Sequence, residues 1–427
     1  MSGGAAPRAK IVGRPVARVH TKVGVPASKS LTNRALVVAA AAGGGTITSP
    51  LDCDDTRLLA GALTACGWEV EWRGGTVCVG ARAVPADRVA VDLGNSGTGS
   101  RLLLGLLAAS GGETVIDGTG RLRERPMAPL ISTLARLGAD VEVSPGDRLP
   151  ALVRGRRLPG GRLTLDPGPS SQFVSALLVA APLMAHGLWL ELEGAIPSRP
   201  YLALTRDVLA AFGGNVRADA ELRSWQVSPG SLGPAELRVE GDWSAAAFFL
   251  VAAAVTGGTV DVDGVDLASS QGDRRIAEIL SRAGATIEGR QGGVTCHGPI
   301  SGTVTADLAD APDLFPALAV AAAAVGRGSR LTGLDHLRHK ESDRLAVMAE
   351  NLRRLGAGVV TDETSLTVSM PVAAHDSPVD VTAAGDHRVA MAMAVAALAA
   401  GPVRIDDADC VSKSFPGFWR EWQRVTG

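Results

Sequence analysis

The sequence is poor in aromatic residues, which fill 4% of its 427 positions and include a single tyrosine, Tyr201. Any sizeable core must therefore be built from Ala, Val and Leu, whose small side chains let helices approach closely. Cysteine is also scarce: Cys53, Cys66, Cys78, Cys296 and Cys410 form an odd set with no CxxC pair. That pattern argues against a disulfide framework and against a zinc site. Neither sign of charge dominates, because the formal net charge is −2, so there is no basic field of the kind nucleic acid requires. Any cationic site must be local. Apolar runs such as Ala245 to Thr256 fall short of the roughly 18 to 20 residues that span a bilayer, and read as buried core helices. The opening MSGGAAPRAK has no apolar stretch of signal-peptide type, so a cytoplasmic location is expected.

What the chain does have is repetition. PASKSLTNRALVVAAAAGGG from Pro26 joins a small polar loop to an unbroken apolar run that stops at glycines, which reads as a helix buried all round with a chemically busy start. The same design returns in GNSGTGSRLLLGLLAASGG from Gly94, GPSSQFVSALLVAAPLMAHG from Gly168, GDWSAAAFFLVAAAVTGG from Gly241, APDLFPALAVAAAAVGRG from Ala311 and AGDHRVAMAMAVAALAAG from Ala384. Between these helices a glycine leads into an alternating strand at Gly67, Gly138, Gly213, Gly284 and Gly356, spaced by 71, 75, 71 and 72 residues. A fixed period means one supersecondary unit used repeatedly. Each unit reads as strand, helix, glycine turn, strand, strand and buried helix. The length and the 46% apolar content suit two domains of three units each. The first would span residues 25–237 and the second residues 1–24 with 238–427. On that division the N-terminal arm completes the C-terminal unit. Two crossings, near Val23 and Arg238, would make a hinge for a cleft that closes on ligands.

The helix starts collect polar residues: Lys29, Ser30 and Arg34; Asn95, Ser96, Gly97 and Thr98; Ser170, Ser171 and Gln172; Asp313; His387 and Arg388. Free N–H groups and the positive dipole end favour anions there. RLRERPM adds Arg121, Arg123 and Arg125, SRPY adds Ser198 and Tyr201, and VSKSFPGFW adds Lys413. In LRHKESDRL, Lys340 and Arg344 stand four apart and would share one helix face, so their repulsion needs Glu341, Asp343 or a bound anion to offset it. Taken singly, each segment has an ordinary reading. KESDR can be a solvated helix start, SSQF an N-cap, GNSGTG a glycine turn, DHR a capping Asp with surface neighbours, and Asp313 a cap. Their joint occurrence at equivalent positions of one repeat points instead to an anion site.

PASKSLTNRAL, LGNSGTGSR, RERPM, SSQF, SRPY, KESDRL, GDHRVAMA and SKSFPGF, in this order, resemble the 5-enolpyruvylshikimate-3-phosphate synthase family of enolpyruvyl transferases over essentially the whole chain. The resemblance implies an α/β fold of two domains, each with three βαβαββ repeats around buried parallel helices, joined by a two-stranded hinge. It also implies transfer of the enolpyruvyl group of phosphoenolpyruvate to the 5-hydroxyl of shikimate 3-phosphate, with release of phosphate, in the shikimate pathway to chorismate and the aromatic amino acids. Both substrates are small polyanions, and the chemistry needs a general acid and a general base rather than a metal or cofactor. Carried over by motif, Ser170, Ser171, Ser198 and Lys340 would hold shikimate 3-phosphate, Ser30 and Arg34 its carboxylate, and Tyr201 would line its ring. Arg125, Arg344, Arg388 and Lys413, with the backbone at Gly97, would grip phosphoenolpyruvate, and Lys29 and Gln172 would touch both substrates. His387 stands beside Arg388 at the sixth helix start. Asp313 resembles the base for the 5-hydroxyl and Glu341 the proton donor, assisted by Lys29. Because Lys340 and Arg344 flank Glu341, the acid role could pass to Lys29 or Lys413.

Two positions depart from the family pattern: His336 where Asn is common near the shikimate ring, and Leu102 where Pro often follows Arg. Gly97 is expected to leave room for glyphosate as a phosphoenolpyruvate mimic. The sister enzyme that acts on UDP-N-acetylglucosamine is disfavoured, because its loop cysteine is missing from LRERPM. A paralogue acting on another cyclic acceptor and a non-catalytic anion-binding repeat protein remain as alternatives. A monomer is expected, binding neither nucleic acid nor membrane.

Overall fold

The structure is a computed structural model that describes residues 8–13 and 18–427. Residues 1–7, on which the reading of the N-terminus largely rests, lie outside the described residues. The chain divides into two compact units, Ala27–Glu240 and the combination of residues up to Pro26 with Gly241–Gly427.

Each unit is built on three helices that are buried nearly all round. In the first they are Lys29–Ala41, Gly97–Ser110 and Ser171–Ala180, and in the second Trp243–Thr256, Phe315–Val325 and His387–Ala400. Their sequences are almost wholly Ala, Val, Leu, Phe and Met beyond the first turn, so each helix packs on its two partners at once. Close approach is built into Gly105, since a Cβ placed there would lie 2.5 Å from the Ala176 carbonyl oxygen of the neighbouring helix.

Among the described residues, six sheets surround these helices, three per unit. In one, Gly112–Asp117 pairs in parallel with Val89–Asp92 and antiparallel with Arg148–Gly155, which pairs antiparallel with Asp140–Ser144. The same pattern recurs around Leu188–Leu192, Gly45–Thr48, Thr259–Asp263 and Ser329–Thr332. The reading from residue patterns alone lacks the short strand before each buried helix, such as Glu236–Arg238, Thr305–Asp307 and Val379–Val381, which the βαβαββ repeat implied by the family resemblance contains. Segments of three residues at a sheet edge carry too little alternation to be seen. The repeat glycines Gly67, Gly138, Gly213, Gly284 and Gly356 all have φ between 78° and 109°, the left-handed stop that glycine supplies after a helix.

The N-terminal strands belong to the second unit. Lys10–Val12 pairs with Val403–Ile405, and His20–Gly24 pairs with Thr259–Asp263. The scarce aromatics gather nearby: Phe249, Phe415, Phe418 and Trp422 pack together edge-on or tilted, with Phe418 stacked on Trp422, which seats the final helix Phe418–Thr426. That helix holds the arm in return, because Glu421 accepts from the Gly24 amide and Lys10 lies over the Trp419 ring.

Two glycine substitutions separate backbone freedom from packing. Gly105→Ala is expected to lower stability by about 1–3 kcal/mol through overpacking, whereas Gly61→Ala, on an exposed helix position with nothing within 4 Å, is expected to raise it by about 0.5–1 kcal/mol. Urea unfolding midpoints of the two variants should move in opposite directions.

Candidate active site

In the unit Ala27–Glu240, the helix starts hold buried cations. Lys29 opens its helix with Nζ 3.1 Å from a carboxylate oxygen of Asp55, and both side chains are buried. Arg34, one turn on, donates through Nε to Thr205 Oγ at 2.8 Å, through Nη1 to the Ser30 carbonyl at 3.0 Å and through Nη2 to Ser175 Oγ at 3.4 Å. It also lies 5.6 Å over the Tyr201 ring. Burial lowers its guanidinium to about 10, and the two hydroxyls and the carbonyl that accept from it are neutral. A desolvated cation held only by neutral groups keeps its charge available to an incoming carboxylate.

Arg125 is more exposed in its need. Its Nε and Nη1 are buried without a hydrogen-bond partner, and its guanidinium lies against Gly97, where a Cβ would collide with it. Gln172 is already engaged, since its Oε1 accepts from Arg101 Nη1 at 2.5 Å and its Nε2 donates to Thr98 Oγ1 at 3.0 Å. Ser170 caps the helix by accepting from the Gln172 amide at 3.3 Å, so the ordinary cap reading of SSQF also holds. Ser198 sits at φ +57° just before the helix Pro200–Ala211 that carries Tyr201. A non-glycine residue is held in that region only where its surroundings enforce it. Leu102 continues the helix Gly97–Ser110 as a buried core residue.

In the other unit, Arg344 is fully buried and meets three carboxylates: Asp386 at 2.7 Å, Asp313 at 2.7 Å and Glu341 at 2.8 Å. Burial would lower its pKa, but Asp386, Glu341 and Asp313 raise it above its ordinary value. Asp313 also pairs with Arg388 at 3.0 Å, and Glu341 with Lys413 at 3.4 Å. Burial alone would push the Asp313 carboxyl up, yet the Arg388, Lys340 and Arg344 charges hold it well below the usual carboxylate range. The site thus carries an ionised carboxylate among cations.

Local readings change accordingly. Lys340 and Arg344 do not share a helix face: Lys340 is extended after the turn Asp335–His339, and Asp343 caps the helix that Arg344 begins, accepting from the Ala346 amide. Asp313 is not a cap; it lies in the turn Pro312–Leu314 ahead of its helix. Asp386 does cap, accepting from the Arg388 amide at 3.0 Å, but His387 and Arg388 are buried rather than on the surface. The sequence reading of DHR has Asp386 only as a cap and not as a partner of Arg344. Asp55 was also missed, and so was the cluster at the start of the fourth buried helix. There Asp242 caps the Ala245 amide, Gln271 bridges Trp243 N and the Gly241 carbonyl, and Ser244 donates to Asp273. Ser244 and Asp273 lie 29 residues apart, and no motif signals their meeting.

Among the described residues, no group of three or more His, Cys, Asp or Glu side chains could hold a metal ion, and no helix is long and apolar enough to cross a membrane.

His336 is buried on the same turn as Lys340, with Nδ1 3.4 Å from Asp335 and Nε2 without a hydrogen-bond partner. Burial and then the Lys340 charge push its imidazole down to about 4. The unfolded chain therefore binds a proton near the ordinary histidine pKa while the folded chain does not. The stability this contributes is complete above about pH 6.5 and is lost as pH falls towards 4, by roughly 3 kcal/mol in all. His336→Asn should make unfolding free energy fall about 2 kcal/mol less than in the wild type between pH 7 and 4.5, as urea titrations at the two pH values would read.

Residues 14–422 match the family model of EPSP synthase (3-phosphoshikimate 1-carboxyvinyltransferase). A relative named 3-phosphoshikimate 1-carboxyvinyltransferase, from Methanoculleus marisnigri, is 41% identical over 92% of this chain and 94% of its own. Another of the same name, from Syntrophobacter fumaroxidans, is 39% identical over 96% and 98%. Among solved structures, EPSP synthase from Acinetobacter baumannii superposes with a TM-score of 0.77 at 28% identity, covering 97% of this chain and 98% of its own. The enolpyruvyl transferase NikO from Streptomyces tendae reaches a TM-score of 0.78 at 17% identity with 98% of both chains covered, a likeness of fold alone.

Proposed function

Because the chain belongs to the EPSP synthase family, we propose that its buried carboxylates and cations carry out the two proton movements of enolpyruvyl transfer. The chain is an enzyme, a 3-phosphoshikimate 1-carboxyvinyltransferase of the enolpyruvyl transferase fold, and its substrates are small molecules. The reaction adds the 5-hydroxyl of shikimate 3-phosphate across the double bond of phosphoenolpyruvate. The C–O bond to phosphate and a methyl C–H bond then break, which restores the C=C bond and leaves it as an enol ether of the 5-oxygen. Addition needs a base for the hydroxyl and an acid for the methylene, and elimination needs the reverse.

The observation that carries the reading is the shared clamp on Arg344. Asp313, ionised between Arg344 and Arg388, is assigned the role of base, and Glu341, paired with Arg344 and Lys413, is assigned the proton donation that it can make once bound anions engage those cations. While these cations are unopposed, Asp313 is a weak base. A doubly negative substrate beside Arg388, Lys340 and Arg344 offsets their charge and raises its basicity, so the base is strengthened by the ligand it serves. Lys29 and Lys413 are alternative proton donors.

For binding, Arg125, Arg344, Arg388 and Lys413 with the Gly97 backbone are assigned to phosphoenolpyruvate. Ser170, Ser171, Ser198, Lys340, Ser30, Arg34 and Tyr201 are assigned to shikimate 3-phosphate, and Lys29 and Gln172 to both. The unpartnered Nε and Nη1 of Arg125 and the neutral partners of Arg34 support these assignments. In the same reading the enzyme is a cytoplasmic monomer without metal or cofactor.

Phosphate release from phosphoenolpyruvate is expected to require shikimate 3-phosphate, and release driven instead by UDP-N-acetylglucosamine, or none with either, would reject the reading. Asp313→Asn should cost about 10²–10⁴ in kcat with little change in either KM, as expected for a general base. Gly97→Ala should displace the Arg125 guanidinium, raising KM for phosphoenolpyruvate and weakening inhibition by glyphosate together. Unchanged inhibition in an active variant would remove Gly97 from that subsite.

A further inference from the structure

The helix Arg344–Arg354 meets the loop 382–386 at two points, and only the first belongs to the chemistry proposed above. At its start Arg344 donates to the Asp386 carboxylate, through Nε at 2.7 Å and through Nη2 at 3.4 Å, and Ser342 Oγ adds a third bond at 3.1 Å. Two turns on, along the same face, Asn351 reaches the main chain at the other end of that loop. Its Nδ2 donates to the Thr382 carbonyl at 2.8 Å, and its Oδ1 accepts from the Thr382 amide at 3.0 Å. One side-chain amide thus satisfies both main-chain groups of one residue, the carbonyl needing a donor and the N–H an acceptor. Asn351 and Asp386 are both fully buried.

The loop between these two contacts has a shape that must be imposed on it. Ala384 stands at φ +52°, a conformation that a residue with a Cβ keeps only where its surroundings enforce it. The Ala383 amide is taken by Asp406 Oδ1 at 2.7 Å, the Ala384 amide by Thr382 Oγ1 at 3.1 Å, and the Asp386 amide by the Ala383 carbonyl at 2.9 Å. A chain of bonds therefore runs from Asn351 through this turn to Asp386, which accepts from Arg344 and from the Arg388 amide. In the repeat that ends in Ser171–Ala180, the helix Ala128–Arg136 reaches the strand Gly161–Leu165 through Arg136 Nη1, 3.1 Å from the Thr164 carbonyl, and that side chain is exposed. The buried, two-way bond belongs to the loop that carries Asp386.

We propose that Asn351 is a positioning residue for phosphoenolpyruvate binding: by gripping both main-chain groups of Thr382 it sets the register in which Asp386 meets Arg344 and the Arg388 amide. The inference rests on the functional reading above, which assigns both arginines to phosphoenolpyruvate, and deepens it. Once the Thr382 end is released, Ala384 relaxes away from positive φ and carries the Asp386 carboxylate off Arg344. The buried guanidinium then turns to Asp313 and Glu341, its carboxylate partners at 2.7 and 2.8 Å, and is less open to an incoming substrate anion. Asn351 thus acts on the ligand through Asp386.

The test follows kcat and both KM values of wild type, Asn351→Ala, Asp386→Asn and the double variant in the phosphate-release assay. Asn351→Ala should raise KM for phosphoenolpyruvate about tenfold and leave that for shikimate 3-phosphate within about threefold. In the Asp386→Asn background the same substitution should change KM for phosphoenolpyruvate by less than about twofold, because the residue it acts through is already disabled. Asn351→Asp gives a second reading if Asn351→Ala does not fold. Ionised, the new carboxylate accepts from the Thr382 amide but repels the Thr382 carbonyl; protonated, it donates to that carbonyl and restores both bonds. Burial favours the protonated form, so KM for phosphoenolpyruvate relative to wild type should be raised at about pH 8 and should fall about threefold or more at about pH 6. A fall in kcat with KM for phosphoenolpyruvate unchanged, as a merely destabilised protein would show, overturns the proposal. So does an equal rise in KM in the Asp386→Asn background, or an Asn351→Asp protein that matches wild type at about pH 8. Wild type that releases no phosphate in response to shikimate 3-phosphate would overturn the functional reading, and this inference with it.

Discussion

The second unit depends on the burial of one guanidinium. Arg344 has lost essentially all contact with water, a cost of several kcal/mol that only well-placed carboxylates can offset. It recruits three of them from separate elements: Asp313 from the turn before Phe315, Glu341 from the loop before its own helix, and Asp386 from the cap before His387. Those carboxylates in turn need cations, and Arg388 and Lys413 answer. The starts of three helices are thereby tied through one side chain, and the proposed base and acid are located by the same clamp. Shortening Arg344 would leave three buried carboxylates short of a partner, so its worth cannot be apportioned contact by contact.

The unit Ala27–Glu240 solves a different problem with the same repeat. Its buried Arg34 is held by hydroxyls and a carbonyl, and Arg125 has guanidinium nitrogens with no hydrogen-bond partner. One unit therefore presents cations awaiting negative charge, and the other presents carboxylates whose strength depends on how fully their cations are engaged. Such a division suits a reaction whose substrates bring phosphate and carboxylate groups and whose chemistry is proton transfer.

The repeat was legible because it rests on residues with strong local meaning. The glycines at Gly67, Gly138, Gly213, Gly284 and Gly356 stop helices by their φ, and runs such as Ala245 to Thr256 can only be buried. The short strands before the buried helices were not legible, since Glu236–Arg238 and Val379–Val381 are defined by pairing rather than composition. At the site, residues in compact motifs such as KESDR and GDHR were visible. What sequence could not supply was partnership: Lys29 with Asp55, Arg34 with Thr205, Ser244 with Asp273. These are tertiary contacts across loops, and spacing carries no signal for them. The Lys340 and Arg344 error has the same origin, because a four-residue interval means a shared face only if one helix spans it.

The arm formed by Lys10–Val12 and His20–Gly24 has a temporal meaning. Its strand partners begin at Thr259, and the helix that seats it runs from Phe418 to Thr426. As the polypeptide leaves the ribosome, these early residues have nothing to pair with while all of Ala27–Glu240 is synthesised. The contiguous unit can fold as it emerges, whereas its discontinuous neighbour must wait until Phe418–Thr426 has been made. Through that interval an unpaired strand edge stands in need of shielding, and the unit that carries Asp313 and Glu341 is completed only after its neighbour.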